Sequence, residues 1–476
     1  MAALSAAAYS SAGCPSGPSR PIWSNLAERA CIGFNYENEE RHAPACSNGP
    51  PCGGRSVAVT VLVSSGGLRA LLSSASFLRL WLIGGCANTM RSFEVLSAAL
   101  FTLDMTGSGF DVALVSAART MPMLLLGAFS GVVTEAVNRK QVLVFGQALT
   151  CLASASVALL AWAGVAQPWH VGVAALVAGV VWSTEMATRR RMVGECVEGR
   201  LVSRALALDT MTNSFTRLLG PLFAGIIYQR VGLAGTFGFS ACIYALAAVL
   251  AAGLEHRQSI RRLILGNVPR ELAEGVLFVR GDLVISGVLA VTIAMNLLGF
   301  PYAALVAPIG RMVFQVSPAL VGVLAASEAF GAFLGGALLT SREPAINSRV
   351  LMVGGSMLFL ACVVAMPLAP GFWIACLLLT AGGFGSAAFA NMQTSLIVLH
   401  APMHIRSRLM GLLTVCIGMG PLGILLMGAI ADLVGPLLAI DLVAATGLVS
   451  VCAVGVVWRR RERFMIARRD KKTRSQ

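Results

Sequence analysis

The chain has 476 residues, 57% of them hydrophobic and only 12% charged, with a net charge of +14. That charged share is about half what a soluble domain carries, too little to cover so much apolar surface in water, so lipid is the alternative solvent. The twelve cysteines show no CxxC or Cys/His metal spacing, and the eight from Cys86 onward fall singly in apolar segments, as small buried residues do.

Residues 1–76 are rich in Ala, Ser, Gly, Pro and Cys and hold the polar run from Asn35 to Arg41. Their best apolar stretch, Val57 to Val63, is far short of the roughly 20 residues a membrane helix needs. No basic residue precedes the Ala-rich start, so a signal peptide is not indicated. The segment is expected to be disordered, or to lie upstream of a true start at a Val near 57–63.

From Leu80 apolar runs of spanning length recur near 80–102, 111–133, 142–164, 169–188, 205–227, 233–254, 283–306, 318–340, 350–369, 371–397, 409–431 and 435–458. Helices are the only form such runs can take in hydrocarbon, which offers no partner to an unpaired backbone group. The sequence therefore predicts an all-α membrane protein of twelve transmembrane helices in two pseudo-symmetric six-helix halves. The halves are 77–254 and 283–458, joined by a cytoplasmic loop at 255–282 and followed by a basic tail at 459–476. Alternate connections hold 25 Lys and Arg, against Arg230 and Arg311 on the other side. Such an imbalance puts the basic side, with both termini, in the cytoplasm. The net charge then reflects topology, and no nucleic-acid partner is expected. Gly220, Gly225 and Gly232 recur 203 residues later as Gly423, Gly428 and Gly435. Parallel repeats of this kind place a solute site near the midplane between the halves.

The connection Gly131-Val-Val-Thr-Glu135-Ala-Val-Asn138-Arg139-Lys140-Gln-Val-Leu143 resembles the signature loop of the major facilitator superfamily. Gly131, Glu135 (for Asp), Arg139 and Lys140 match, while Ala136 and Asn138 depart from it. The resemblance implies a gating loop. The stretches Leu103–Val133, Arg406–Gly411, Gly420–Gly423 and Asp432–Gly435 look like the exporter branch that includes enterobactin and multidrug efflux proteins. The fifth run, with Gly220, Pro221 and Gly225, is similar to the antiporter motif of that superfamily and implies export. The fourth run departs from the proton-coupled pattern: it has Glu185 and no interior Arg before Arg189.

A charge at mid-bilayer costs about 2.5–3.5 kcal/mol on insertion scales, so such groups are candidates for function. They are Arg91, Glu94, Arg119, Glu185, Asp209, Arg217 and Glu328. At roughly 1.5 Å per residue, Glu94 and Arg119 fall at one level on neighbouring antiparallel helices, so an ion pair between them is expected. Glu94 is the expected proton carrier, and Glu185 is expected near the cations 189–191. The superfamily resemblance implies a cavity lined by the first, fourth, seventh and tenth helices, hence Asn88, Arg91, Glu94, Trp182, Asn296, Tyr302 and Asn391. The expected activity is secondary active export of a small amphipathic molecule across the cytoplasmic (inner) membrane by alternating access. Protons, membrane lipid and the solute are the expected partners of a monomer. Uptake of a metabolite is the alternative, and a membrane enzyme or receptor a remote one. No cofactor or metal is expected: there is no GxxxxGK[ST] loop, and the five His have no metal spacing.

Overall fold

The computed structural model describes residues 71–197, 199–254, 268–341, 347–403 and 405–474, with the backbone alone at 128–136, 200, 268–272, 340–341 and 461–474. The expected extension is outside this range up to residue 70, as is the central loop from 255 to 267. Among the described residues every regular element is helical. The bundle begins before residue 77: Leu71 is buried, and Ser74 caps α1 (Ala75–Thr106) by accepting from the Phe77 amide at 3.4 Å. A cap of this kind satisfies one of the orphan amides of a first turn.

α2 (Gly109–Ala136) follows a left-handed turn at Gly107. α3 (Arg139–Trp162) starts from Asn138, whose side chain accepts from the amides of Lys140 and Gln141. That cap is the physical use of the Asn that replaces Gly in the signature loop. α4 (Pro168–Cys196) opens with proline, which has no amide to leave unpaired. α5 (Val202–Ala252) is 51 residues long and broken at Gly232. α6 (Val268–Gly281) is a short helix inside the expected central loop, tied to the next half by Arg408–Glu274 at 2.6 Å.

α7 (Leu283–Ala294) is capped by Asp282 and then loses regularity. It passes through a π turn at Met295–Gly299, a 3-10 stretch at Phe300–Leu305 and a second π turn at Ile309–Val313. Pro301 and Pro308 lie in this stretch, and a proline removes a backbone donor and crowds the preceding turn. The remaining elements are α8 (Pro318–Ser341), α9 (Ser348–Ala365), α10 (Phe372–His400), α11 (Arg406–Ile417), α12 (Gly420–Val434) and α13 (Pro436–Arg474).

Ten stretches of the described residues are long and apolar enough to cross a membrane. One of them is the whole of α5, which covers two expected rods, one on each side of Gly232. α1 is long enough but carries Arg79, Arg91, Glu94 and Asp104, and it is the first rod of the expected twelve. Side chains such as Phe145, Leu152, Leu159, Trp162 and Val249 are exposed on the outside of the bundle. In water this would be a liability; against lipid it is the ordinary state.

The glycine repeat has a structural meaning. A Cβ on Gly220 of α5 would strike Ser92 of α1, and one on Gly423 of α12 would strike the Leu297 carbonyl after α7. A Cβ on Gly225 would strike the Pro318 carbonyl at the start of α8, and one on Gly428 would strike Ala113 of α2. The fifth and eleventh rods thus each press on the first rod of their own half and on the second rod of the other. Gly232 and Gly435 close the sets with φ of 62° and 88°, where a side chain would be strained.

Candidate functional site

Between the halves lies a cavity of about 490 Å³. Asn88 and Arg91 reach it from α1, Arg119 and Thr120 from α2, and Trp182, Glu185, Arg189 and Arg190 from α4. α5 contributes Asp209, Asn213 and Arg217 before its break and Tyr244 after it. The irregular stretch after α7 contributes Phe300, Tyr302 and Ala303, and α8 contributes Glu328. Loss of helical regularity where a rod faces a cavity is the arrangement in which unpaired backbone can be tolerated at membrane depth.

The charges are organised as pairs. Arg119 Nη1 donates to Glu94 Oε2 at 3.1 Å, and Ser154 Oγ donates to Glu94 Oε1 at 2.6 Å. Arg189 pairs with Asp209, joining α4 to α5, with both side chains buried. Arg217 Nη2 donates to Glu328 Oε2 at 3.3 Å, and Ser386 Oγ of α10 donates to Glu328 Oε1 at 2.5 Å. The Arg217–Glu328 bond joins the two halves. Arg91 lies over the Trp182 ring, 4.7 Å from its centroid.

At one end of the bundle further polar contacts cross between halves. Ser108 Oγ donates to Asp432 at 3.2 Å, Arg311 lies 3.6 Å from Asp104, and Gln229 accepts from the Ala319 amide at 3.3 Å. This end holds the connections poor in Lys and Arg. At the other end Arg139 pairs with Glu195 at the close of α4, and Arg191 reaches the same carboxylate at 3.7 Å. Arg139 of the signature loop therefore ties α3 to α4 within one half.

A family model described as a transmembrane secretion effector, a branch of the major facilitator superfamily, matches residues 67–470. The chain belongs to that family. The multidrug efflux pump Tap of Mycolicibacterium fortuitum is 24% identical over 368 residues, covering 73% of this chain and 87% of the pump. The pump of the same name from Mycobacterium tuberculosis strain H37Rv is 25% identical over 386 residues, covering 75% and 88%. Among solved structures, a bacterial homologue of the human lysosomal transporter Spinster, inward-facing and unoccupied, aligns with a TM-score of 0.61 at 16% identity over 80% of this chain and 93% of that one. The nucleoside transporter NupG aligns with a TM-score of 0.62 at 12% identity over 81% and 99%. Those two likenesses show the fold. The protein is a multi-pass facilitator-type transporter, and not an enzyme.

Within this facilitator fold the expected site residues divide. Asn88, Arg91, Arg119, Trp182, Glu185, Asp209, Arg217, Tyr302 and Glu328 line the cavity. Glu94 does not: it is 3% exposed and sits behind Arg119, where it borders a smaller void with Val171 and Phe237. Asn296 and Asn391 turn back on their own helices, donating to the Thr292 and Ala387 carbonyls at 2.9 Å, and neither lines the cavity. Of the gating loop, Arg139 is placed as above, and Gly131 and Glu135 lie where only the backbone is described.

By its position after the fourth apolar run Arg189 reads as one of the 25 cations of the basic connections. It is instead on α4, 4% exposed, and it lines the cavity. Glu185, placed near it, has Arg189, Gln147 and Arg91 as neighbours. The spacing 182, 185, 189 marks one helical face and was the available signal. Tyr244 is missed because it is a lone aromatic in an apolar run, Phe300 because it reads as one more apolar side chain, and Asn213 because the polar stretch from Asp209 to Arg217 does not say which side chain faces inward.

Proposed function

We propose that the protein is a secondary active exporter of small amphipathic molecules in the cytoplasmic (inner) membrane, working as a monomer by alternating access with both termini in the cytoplasm. The observation that carries this reading is the charged and aromatic cavity between the halves, bridged in its lining by the Arg217–Glu328 bond. Solute binding there would compete with contacts that hold the halves together, which is how a ligand biases two states. The polar contacts at the end with few Lys and Arg support an inward-open state, with the seal on the outside. The names of the efflux pumps it resembles, and Gly220, Pro221 and Gly225 packed at the helix contacts of α5, support export over uptake.

Proton antiport is the coupling this reading adopts, with Glu328 as the carboxylate that faces solute and partner half together. The test is efflux from proteoliposomes against a panel of amphipathic solutes, with and without an imposed proton gradient. Gradient-stimulated efflux is expected; accumulation in the opposite sense would make the protein an uptake carrier, and no flux for any solute would reject transport.

A further inference from the structure

Of the five arginines that line the cavity, Arg91 has Arg119 and Arg217 as its cationic neighbours, and these three are not equally provided for. Arg119 has Glu94, and Arg217 has Glu328. Arg91 has neither a hydrogen bond nor a salt bridge among the described residues, and its Nε is buried without a partner. Its charged neighbours are Arg119 and Arg217, with Glu185 a weaker presence. Like charges gathered in a partly desolvated site repel one another. The Trp182 face gives the cation a contact of about 0.5–2 kcal/mol, but a ring face accepts few of the five in-plane N–H groups of a guanidinium.

The surroundings of Arg91 are those of a receptor for a second kind of group. Asn88, one turn before Arg91 on α1, and Asn213 on α5 also line the cavity and carry amide donors. Trp182, Phe300 and Tyr302 supply flat apolar walls. A volume of about 490 Å³ suits a solute of drug size.

We propose that Arg91 is the anchor for an anionic group on the transported solute, so that the site prefers planar apolar molecules bearing a carboxylate or an equivalent acid over cations of the same shape. The anion supplies the acceptor that Arg91 lacks and offsets the repulsion among the three guanidinium groups. The rings then carry the apolar body of the solute. This rests on the exporter reading above and names its substrate class.

The test is a matched pair of xanthene dyes on the purified full chain in neutral detergent at pH 8. Fluorescein is anionic with a free carboxylate; rhodamine 123 has the same ring system, a methyl ester and a positive charge. Fluorescence anisotropy should show fluorescein binding at least tenfold more tightly than rhodamine 123. Arg91→Gln should bring that ratio near one, and Arg91→Lys should keep part of it, since a point charge lacks the planar fork of a guanidinium. Equal or tighter binding of rhodamine 123, binding of neither dye, or an unchanged ratio in Arg91→Gln would overturn the proposal. A wild-type ratio near one overturns the proposal even where the variants fold poorly. Efflux of the dye panel from proteoliposomes separates the two readings: transport without anion preference removes this inference alone, whereas absence of any transport removes the exporter reading as well.

Discussion

Glu94 and Glu328 are held by the same pair of partners, one arginine and one serine, yet they face different surroundings. Each carboxylate takes a guanidinium on one oxygen and a serine hydroxyl on the other. The Glu94 set lies inside one half, with the Arg119 side chain 10% exposed. The Glu328 set crosses between halves, and its Arg217 side chain is 51% exposed to the cavity. The same chemistry therefore serves packing in one place and leaves a group within reach of solute in the other.

Glu94→Gln should lower stability more than it alters transport specificity. It leaves the Arg119 cation buried without its counter-charge, a situation that costs on the order of 3–5 kcal/mol when a buried pair is broken. A thermal melt in detergent should fall clearly. Glu94→Gln combined with Arg119→Gln should recover much of the loss, because no charge is then stranded. A melt unchanged by Glu94→Gln alone would show that the pair is not what holds α1, α2 and α3 together.

Glu328→Gln should behave in the opposite way. The amide keeps the shape and the Ser386 contact, and Arg217 has solvent in the cavity, so the melt should stay within a few degrees of wild type. Gradient-driven efflux should fall at least tenfold, while exchange of solute without a gradient persists. Undiminished stimulation by the gradient would move the proton to another carboxylate, with Glu185 the next to test.

The bundle was legible in the sequence because lipid leaves so few solutions: apolar runs of fixed length must be helices, and Gly232 and Gly435 mark the same turn in each half. The Glu94–Arg119 pair was legible for the same reason, since helix rise alone sets their depth. Side-chain direction was not. Asn296 and Asn391 lie on rods assigned to the cavity, but each satisfies its own preceding turn instead. Arg189 was hidden by the opposite error: a cation just beyond an apolar run reads as loop, and only its pairing with Asp209 brings it inside. Which face of a rod meets water is settled by its neighbours, and one chain without its fold does not display them.

Asp209→Asn should destabilise the protein for the reason just given. The Arg189 and Asp209 side chains are 5% and 7% exposed, so the remaining cation has little access to water. The melt should drop by several degrees, and the exchanged pair Arg189→Asp with Asp209→Arg should recover part of it. A drop equal in single and exchanged variants would place the effect in packing rather than charge.

The close approach of α5 to α8 yields the last expectation. Gly225 faces the Pro318 carbonyl, and Gly322 of α8 faces the Pro221 carbonyl, so two backbones touch with no side chain between them. Gly225→Ala adds a methyl group where a main-chain oxygen stands, and the oxygen cannot swing aside as a side chain tip would. Overpacking of this sort costs about 1–3 kcal/mol, and here it falls on the state in which the halves meet at this end. Gly428→Ala should act similarly through Ala113 of α2, whose Cβ is fixed to its own backbone and cannot swing aside either. Cysteines at 229 and 319, beside the Gln229–Ala319 bond, give the readout: a short thiol cross-linker should join them readily in wild type and much more slowly in Gly225→Ala. Equal rates would mean that the contact tolerates a methyl group and does not set the balance between the two states.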